Sequence, residues 1–228
     1  MSFEALAAEL PGGGRALFTT RAEGNMSSTT GPRAELAAAN RDAIRRRVGA
    51  RGIARGFQVH GSEVRRAAEL TPDQPSNDGL AAADGQATAV VGLATMVLAA
   101  DCLPVALGGE GAVAILHAGW RGLAGGVLEE GVAALGELAR RGPLAAVLGP
   151  CAGVCCYEVG PEVHAALGEP GRARGPADLR AIARARLTAA GVEEISELGG
   201  CTICDRRYFS HRREGASAGR MAGVAWLS

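Results

Sequence analysis

The sequence predicts a single mixed α/β domain, and three observations carry that prediction. A chain of 228 residues suits one large domain with a sizeable buried core. Near-continuous apolar runs at 87–100, 144–148 and 221–227 alternate with stretches of helical spacing, as in strands covered on both faces. Neither internal repeats nor low-complexity linkers interrupt the chain, so one domain over 1–228 is expected.

The elements follow in order along the chain. Ala16 to Arg21 (ALFTTR) reads as a first strand and Glu23 to Arg33 as a polar, glycine-bearing loop. Glu35 to Val48 has helical character. Gly56 to His60 (GFQVH) alternates, with Phe57 and Val59 on one side and Gln58 and His60 on the other. Thr71 to Gly79 (TPDQPSNDG) is a turn-rich loop, and Ala87 to Ala100 reads as one buried strand. Pro104 to Leu107 and Ala112 to Leu116 form an apolar hairpin around a glycine-rich turn. Gly122 to Arg140 reads as one helix, and Leu144 to Leu148 as a strand ended by Gly149-Pro150. Pro161 to Leu167 and Asp178 to Ala190 read as helices, the second capped by Asp178. Pro170 to Pro176 is a loop, and Met221 to Leu227 is a closing strand.

Composition narrows the function. Charged residues make up 21% and the formal net charge is +0, so no global field points to nucleic acid or to a membrane surface. Every basic side chain is arginine. The opening MSFEALAAELPGGG lacks a basic region followed by an apolar core, so no secretory signal is expected. The run at 87–100 is too short and too broken to span a bilayer. A cytoplasmic location is expected, with the six cysteines reduced and available for metal or catalytic use.

The chemistry concentrates at the hairpin. With its turn at Gly108 to Gly111, Leu107 faces Ala112, Pro104 faces Ile115 and Cys102 faces His117. Directly opposed residues hold their Cβ atoms about 4.5–5.5 Å apart, which suits two ligands of one ion or a thiol–imidazole pair. His60, followed by Gly61, is the third candidate. Two imidazoles and a thiolate at about 2.0–2.3 Å form a zinc shell with a fourth position open to water or substrate. Asp101, beside Cys102, is expected to accept an imidazole N–H behind the ligands. The same residues also admit a cysteine hydrolase, with Cys102 as nucleophile and His117 as base, in which His60 is superfluous. They also admit a non-enzymatic redox-sensing or interaction protein in which Cys102 simply packs.

QVHG (Gln58 to Gly61), ADCLPV (Ala100 to Val105), HAGWRG (His117 to Gly122) and GPCAGVCCYEVG (Gly149 to Gly160) occur in that order. With FTTR near the start and CTICDRRYFSHRREG and GRMA near the end, the chain closely resembles the laccase-domain family over nearly its whole length. Members first called multicopper polyphenol oxidases are better described as purine nucleoside phosphorylases. The resemblance implies a mixed α+β domain of mixed sheets covered by helices, with zinc on His60, Cys102 and His117. It also implies phosphorolysis of adenosine, inosine, guanosine and 5′-methylthioadenosine, with adenosine deamination alongside. Purine nucleosides and phosphate are then the partners. Arg21 and Arg121, inside family motifs, are the expected phosphate ligands, because an arginine fork matches the anion.

One stretch departs from the family. RAEGNMSSTTGPRAELAAANR is shorter than the usual glycine-rich loop, SLNL-like segment and acidic turn. It is expected to bear on substrate choice and to leave the metal triad alone.

Copper oxidase chemistry is rejected, since a trinuclear cluster needs more imidazoles than four histidines furnish. Cys201 to Cys204 resembles half a zinc knuckle, yet CAGVCC lacks the usual partner spacing. Packing is therefore the expected role of Cys151, Cys155, Cys156, Cys201 and Cys204. The basic HRREGASAGR segment is expected to be a solvated loop, and His164 a surface or packing residue.

Overall fold

The structure is a computed structural model that describes residues 5–70 and 72–228. Residues 1–4 of the opening stretch and Thr71 of the turn-rich loop lie outside the described residues. The strands are β1 (Leu6–Leu10), β2 (Gly14–Phe18), β3 (Gly52–Ala54), β4 (Val64–Arg66), β5 (Gly85–Thr88), β6 (Leu93–Ala99) and β7 (Leu103–Glu110). They continue with β8 (Ala112–Ala118), β9 (Arg140–Leu148), β10 (Glu158–Val159), β11 (Gly175–Pro176), β12 (Glu194–Glu197) and β13 (Met221–Leu227). The helices are α1 (Ala37–Arg47), α2 (Trp120–Ala124), α3 (Val127–Leu138), α4 (Pro161–Ala166), α5 (Leu179–Ala189) and α6 (His211–Glu214).

Two mixed sheets hold the fold, in the orders β1-β2-β13-β6-β3 and β12-β9-β7-β8-β5-β4. The β3–β6, β4–β5 and β9–β12 pairs are parallel and the other pairs in these sheets antiparallel. The sheets meet over Phe18, Val97, Ala106, Ile115, Val147 and Ala225. Ile44 of α1 packs with Met96, Val224 and Trp226 on the far side of the first sheet. Leu123, Val127, Leu135 and Leu187 cover the far side of the second against Leu103 and Leu116.

Period-two alternation explains each strand's place. In β13, Val224 and Trp226 point to α1 while Ala225 and Leu227 point between the sheets. In β8, Leu116 lies under the helices while Val113 and Ile115 face the other sheet. His117 follows Ile115 by two, so it emerges at the open end of the seam between the sheets. A Cβ on Gly223 would lie 2.9 Å from the Pro104 Cβ, so glycine there lets the sheets approach.

The mixed α+β domain with helix-covered sheets is therefore as the resemblance implied. Several boundaries differ. The run at 87–100 is two strands of different sheets, β5 and β6, parted by a turn at Gly92 with φ 85°. The expected helix at 122–140 breaks into α2 and α3 at Gly126, whose φ of 89° a right-handed helix cannot accommodate. The first strand ends at Phe18, and residues 21–23 form a 3-10 turn. The edge strands β1 (LAAEL) and β12 (EISE) were not among the expected strands, and β12 has one apolar residue in four. Asp178 caps α5 as expected, accepting from the amides of Arg180 and Ala181.

Candidate active site

The β7–β8 hairpin pairs Gly109 with Ala112 and Pro104 with His117. Its connection is Glu110 and Gly111, the latter at φ 76°, and not the four residues expected. Pairing therefore slips by two, bringing Cys102 level with Gly119 instead of His117. Side-chain direction has period two, so an even slip keeps both residues on the seam face. The juxtaposition survives for that reason: one donor atom from each of His60, Cys102 and His117 lies within 4.8 Å of the others. Glycine at 119 makes room, because a Cβ there would sit 2.9 Å from the Cys102 Sγ and 3.3 Å from the His60 ring.

His60 arrives on the loop after β3. Gln58 fixes this loop to β6, its Nε2 donating to the Leu98 carbonyl at 2.7 Å and its Oε1 accepting the Leu98 N–H at 2.7 Å. The side-chain amide thus continues the sheet where β3 stops. Phe57 and Val59 face solvent at 45% and 50% exposure, while on the other side Gln58 is half-buried and His60 opens onto the cleft.

Asp84, fully buried, organises the rest. Its carboxylate accepts the amides of Val59, His60 and Gly61 at 2.8–3.0 Å and contacts Nδ1 of His117 at 2.8 Å. With Nδ1 engaged there, Nε2 of His117 is left for an ion or a thiol. His60 is held at φ 60°, one of three non-glycine residues with positive φ among the described residues. Burial opposes charge on Asp84, but His117 and the loop amides outweigh it and hold the carboxyl below the usual carboxylate range. Burial likewise opposes charge on Cys102 and His117, yet each stabilises the other. Cys102 falls to about 6, with help from His60, and His117 rises to about 9, with help from Asp84. The thiolate so favoured is the form of cysteine that binds metals.

Asp101 corrects an expectation. It accepts the Thr202 hydroxyl at 2.6 Å, the Ser210 hydroxyl at 3.1 Å and the Arg212 amide at 2.7 Å, and no imidazole. Asp84 fills the role foreseen for it. Asp84 lies in AADGQA with no motif around it in sequence, and only the fold reveals it.

A cleft of about 260 Å³ opens over the three side chains, walled by Trp120, Arg121, Tyr157, His211, Arg212 and Arg220. An adjoining hollow of about 210 Å³ shares His60, His117, Leu98 and Arg220 with it and is lined by Ser27, Thr29 and Thr30. The 21–41 stretch, expected to bear on substrate choice, thus reaches the site. A roomier hollow of about 370 Å³ beside Arg55, Arg65 and Arg66 has neither histidine nor cysteine in its walls.

The arginines divide. Arg121 stands in the cleft wall, exposed, its guanidinium 4.3 Å from the Trp120 ring centre. Arg21 lies elsewhere, paired with Glu214, donating to the Tyr208 carbonyl and stacked 4.3 Å over Phe209. It braces the C-terminal segment. Arg220, in a segment expected to be a solvated loop, is half-buried between the two hollows. Its amide donates to Asn25 Oδ1 at 2.8 Å. Burial draws its pKa down, and the negative charge of Cys102 and Asp101 counteracts this. His164 is buried and bonded to Glu169, a packing residue as expected.

Packing also describes Cys151, which is 1% exposed. It does not describe Cys155, Cys156, Cys201 and Cys204, which are exposed or half-buried and gather into a second group within 4.8 Å. The partner spacing missing from the sequence is supplied by the fold, through a parallel bridge between Cys151 and Cys201.

Among the described residues no helix is long and apolar enough to cross a membrane. A Xylella fastidiosa protein named purine nucleoside phosphorylase is 40% identical over 240 residues, covering 95% of this chain and 88% of its own. A Mycobacterium tuberculosis protein, also named a purine nucleoside phosphorylase, is 35% identical over 240 residues, covering 93% and 92%. A crystal structure of a Neisseria meningitidis protein superposes with a TM-score of 0.81 at 32% identity, over 98% and 99% of the two chains. YlmD from Geobacillus stearothermophilus gives 0.81 at 26% identity, over 99% and 98%. The family model described as multi-copper polyphenol oxidoreductase laccase matches residues 13–228. The chain belongs to that laccase-domain family, whose motifs here build a His-Cys-His group able to hold a metal at the mouth of the sheet seam.

Proposed function

We propose that this cleft performs phosphorolysis of purine nucleosides, with adenosine deamination as a second activity, around zinc held by His60, Cys102 and His117. The observation that carries the reading is the placement of Arg220 and Arg121 in the same cleft as the three ligands. The relatives' names support the reaction class. Two imidazoles and one thiolate are a borderline-soft donor set that suits zinc. Held by these three residues, the ion would supply Lewis acidity and would make a water more acidic.

The chain's own groups supply the rest. Arg220 and Arg121 hold phosphate against the ribose C1′, where a phosphate oxygen forms the new bond as the bond from C1′ to the base nitrogen breaks, that nitrogen keeping the electron pair and taking up the proton the phosphate gives. Trp120 and Tyr157 wall the space for the purine. Asp84 keeps His117 in one orientation throughout. Adenosine, inosine, guanosine and 5′-methylthioadenosine are the proposed substrates, met in the cytoplasm where the thiols stay reduced.

One observation favours a second reading. The thiolate of Cys102 beside charged His117 is also the resting state of a cysteine nucleophile and its partner. His60 separates the two. Metal content and phosphate-dependent base release are measured on the wild type and on His60→Ala. Loss of one metal ion per chain together with base release supports the metal site. A metal-free protein that stays active without His60 and dies as Cys102→Ala overturns it in favour of the hydrolase.

A further inference from the structure

We propose that Cys155, Cys156, Cys201 and Cys204 form a second metal site, a four-thiolate structural zinc site that clips together two loops behind the cleft. Their sulfurs lie within 4.8 Å of one another, with Cys155 and Cys156 at 3.4 and 2.9 Å from Cys204. Zinc–sulfur bonds of about 2.3 Å set the edges of a regular tetrahedron at about 3.8 Å. The observed sulfur separations bracket that edge.

The backbone is arranged for it. Each pair of cysteines sits on a tight turn. One is closed by the amides of Cys156 and Tyr157 on the Gly153 carbonyl, the other by the Asp205 amide on the Cys201 carbonyl. The Gly153 amide donates to the Cys201 sulfur at 3.2 Å, as amides do to metal thiolates. The Thr202 amide, bonded to the Cys151 carbonyl at 2.9 Å, sets the turns side by side. Arg213 donates to the carbonyls of Thr202 and Ile203, between the two ligands of one turn, and puts positive charge beside a centre of net charge −2. Four thiols gathered near the surface gain little from burial. Binding Zn²⁺ forms four sulfur–metal bonds and releases four thiol protons to solvent.

The clip bears on the cleft. Tyr157 follows Cys156 and walls the cleft, and Thr202 follows Cys201 and donates to Asp101. The ion would therefore fix the wall opposite His60 without touching substrate.

Zinc content and cobalt-exchange spectra of the full-length wild type, His60→Ala, Cys204→Ser and Cys204→His decide it. The expected result is two zinc per wild-type chain and one in His60→Ala and in Cys204→Ser. Cobalt in His60→Ala should then give all-thiolate bands, absent from Cys204→Ser. Cys204→His, which can still ligate, should regain the second ion. One zinc in the wild type and none in His60→Ala overturns the second site. So does zinc content unchanged by Cys204→Ser, iron in place of zinc, or a disulfide among the four in freshly purified protein. One zinc in both the wild type and His60→Ala, lost in Cys204→Ser, upholds the second site while sinking the first.

Discussion

Nδ1 of His117 lies 2.8 Å from a carboxylate oxygen of Asp84, and that carboxylate also takes the three amides of the loop carrying His60. One buried charge thus sets the orientation of one ligand and the backbone of another. Asp84→Asn keeps the volume but loses the charge and one acceptor. Zinc affinity should fall about 10- to 100-fold, the usual effect of removing a carboxylate behind a metal-bound histidine. Competition titration with a zinc chelator reads this, and an unchanged affinity would remove Asp84 from the site.

Gly119→Ala tests the close approach at the hairpin mouth. The new Cβ meets the Cys102 sulfur at 2.9 Å, so the thiol must turn away from the imidazoles. Overpacking of this kind costs about 1–3 kcal/mol. The expected outcome is a folded protein of modestly lower melting temperature whose first zinc is lost. Full occupancy would mean that the ligands have slack the geometry does not show.

In metal-stripped protein, alkylation should report the thiol–imidazole pair. The Cys102 pKa is lowered to about 6, so the reactive thiolate persists above that pH and is lost as pH falls through it. The His117 pKa is raised to about 9, so its positive charge persists below that pH and fades above it. Iodoacetamide should therefore label Cys102 readily at pH 7, with a midpoint near 6 that moves up in His117→Ala. A wild-type midpoint near 8.5, that of a free cysteine, would contradict the pairing.

Arg220→Gln and Arg21→Gln should separate anion binding from bracing. A charge-assisted hydrogen bond is worth about 1.5–3 kcal/mol, so losing Arg220 should raise the phosphate KM about 10- to 150-fold. Arg21 pairs with Glu214 at a site about two-fifths exposed, so its loss should cost only about 0.2–1 kcal/mol of stability and leave phosphate KM alone. Steady-state kinetics with phosphate varied, alongside thermal melts, distinguishes them. Equal KM shifts in both variants would refute the division.

Much of this site was readable before the fold was known, because the ligands lie in short motifs and in a hairpin. Even a wrong turn length left Cys102 and His117 together, since the error was an even number of residues. Asp84 was unreadable because a carboxylate's role here depends on burial and on a loop about 25 residues upstream. The four-cysteine group was unreadable because Cys156 and Cys204 are 48 residues apart and only a strand bridge aligns their turns. The break between β5 and β6 was hidden by apolar Val90 and Val91, of which Val91 is 60% exposed. Apolar runs mark core strands only when the chain does not cross from one sheet to the next inside them.

Gln58 gripping Leu98 before His60, and Asp84 gripping the loop at His60 itself, also separate the residues that hold the ligands from those that shape the mouth. The excursion from Ser62 to Ala83 departs and returns outside those two clamps, and it carries Asn77 into the hollow beside the ligands. The Glu63 carbonyl within it accepts the Asp84 amide, and Arg41 and Arg55 hold Asp73, so this excursion is itself tied to the frame around the histidine. What shapes the mouth and what holds the metal ligands are therefore different residues of this chain, joined through one loop.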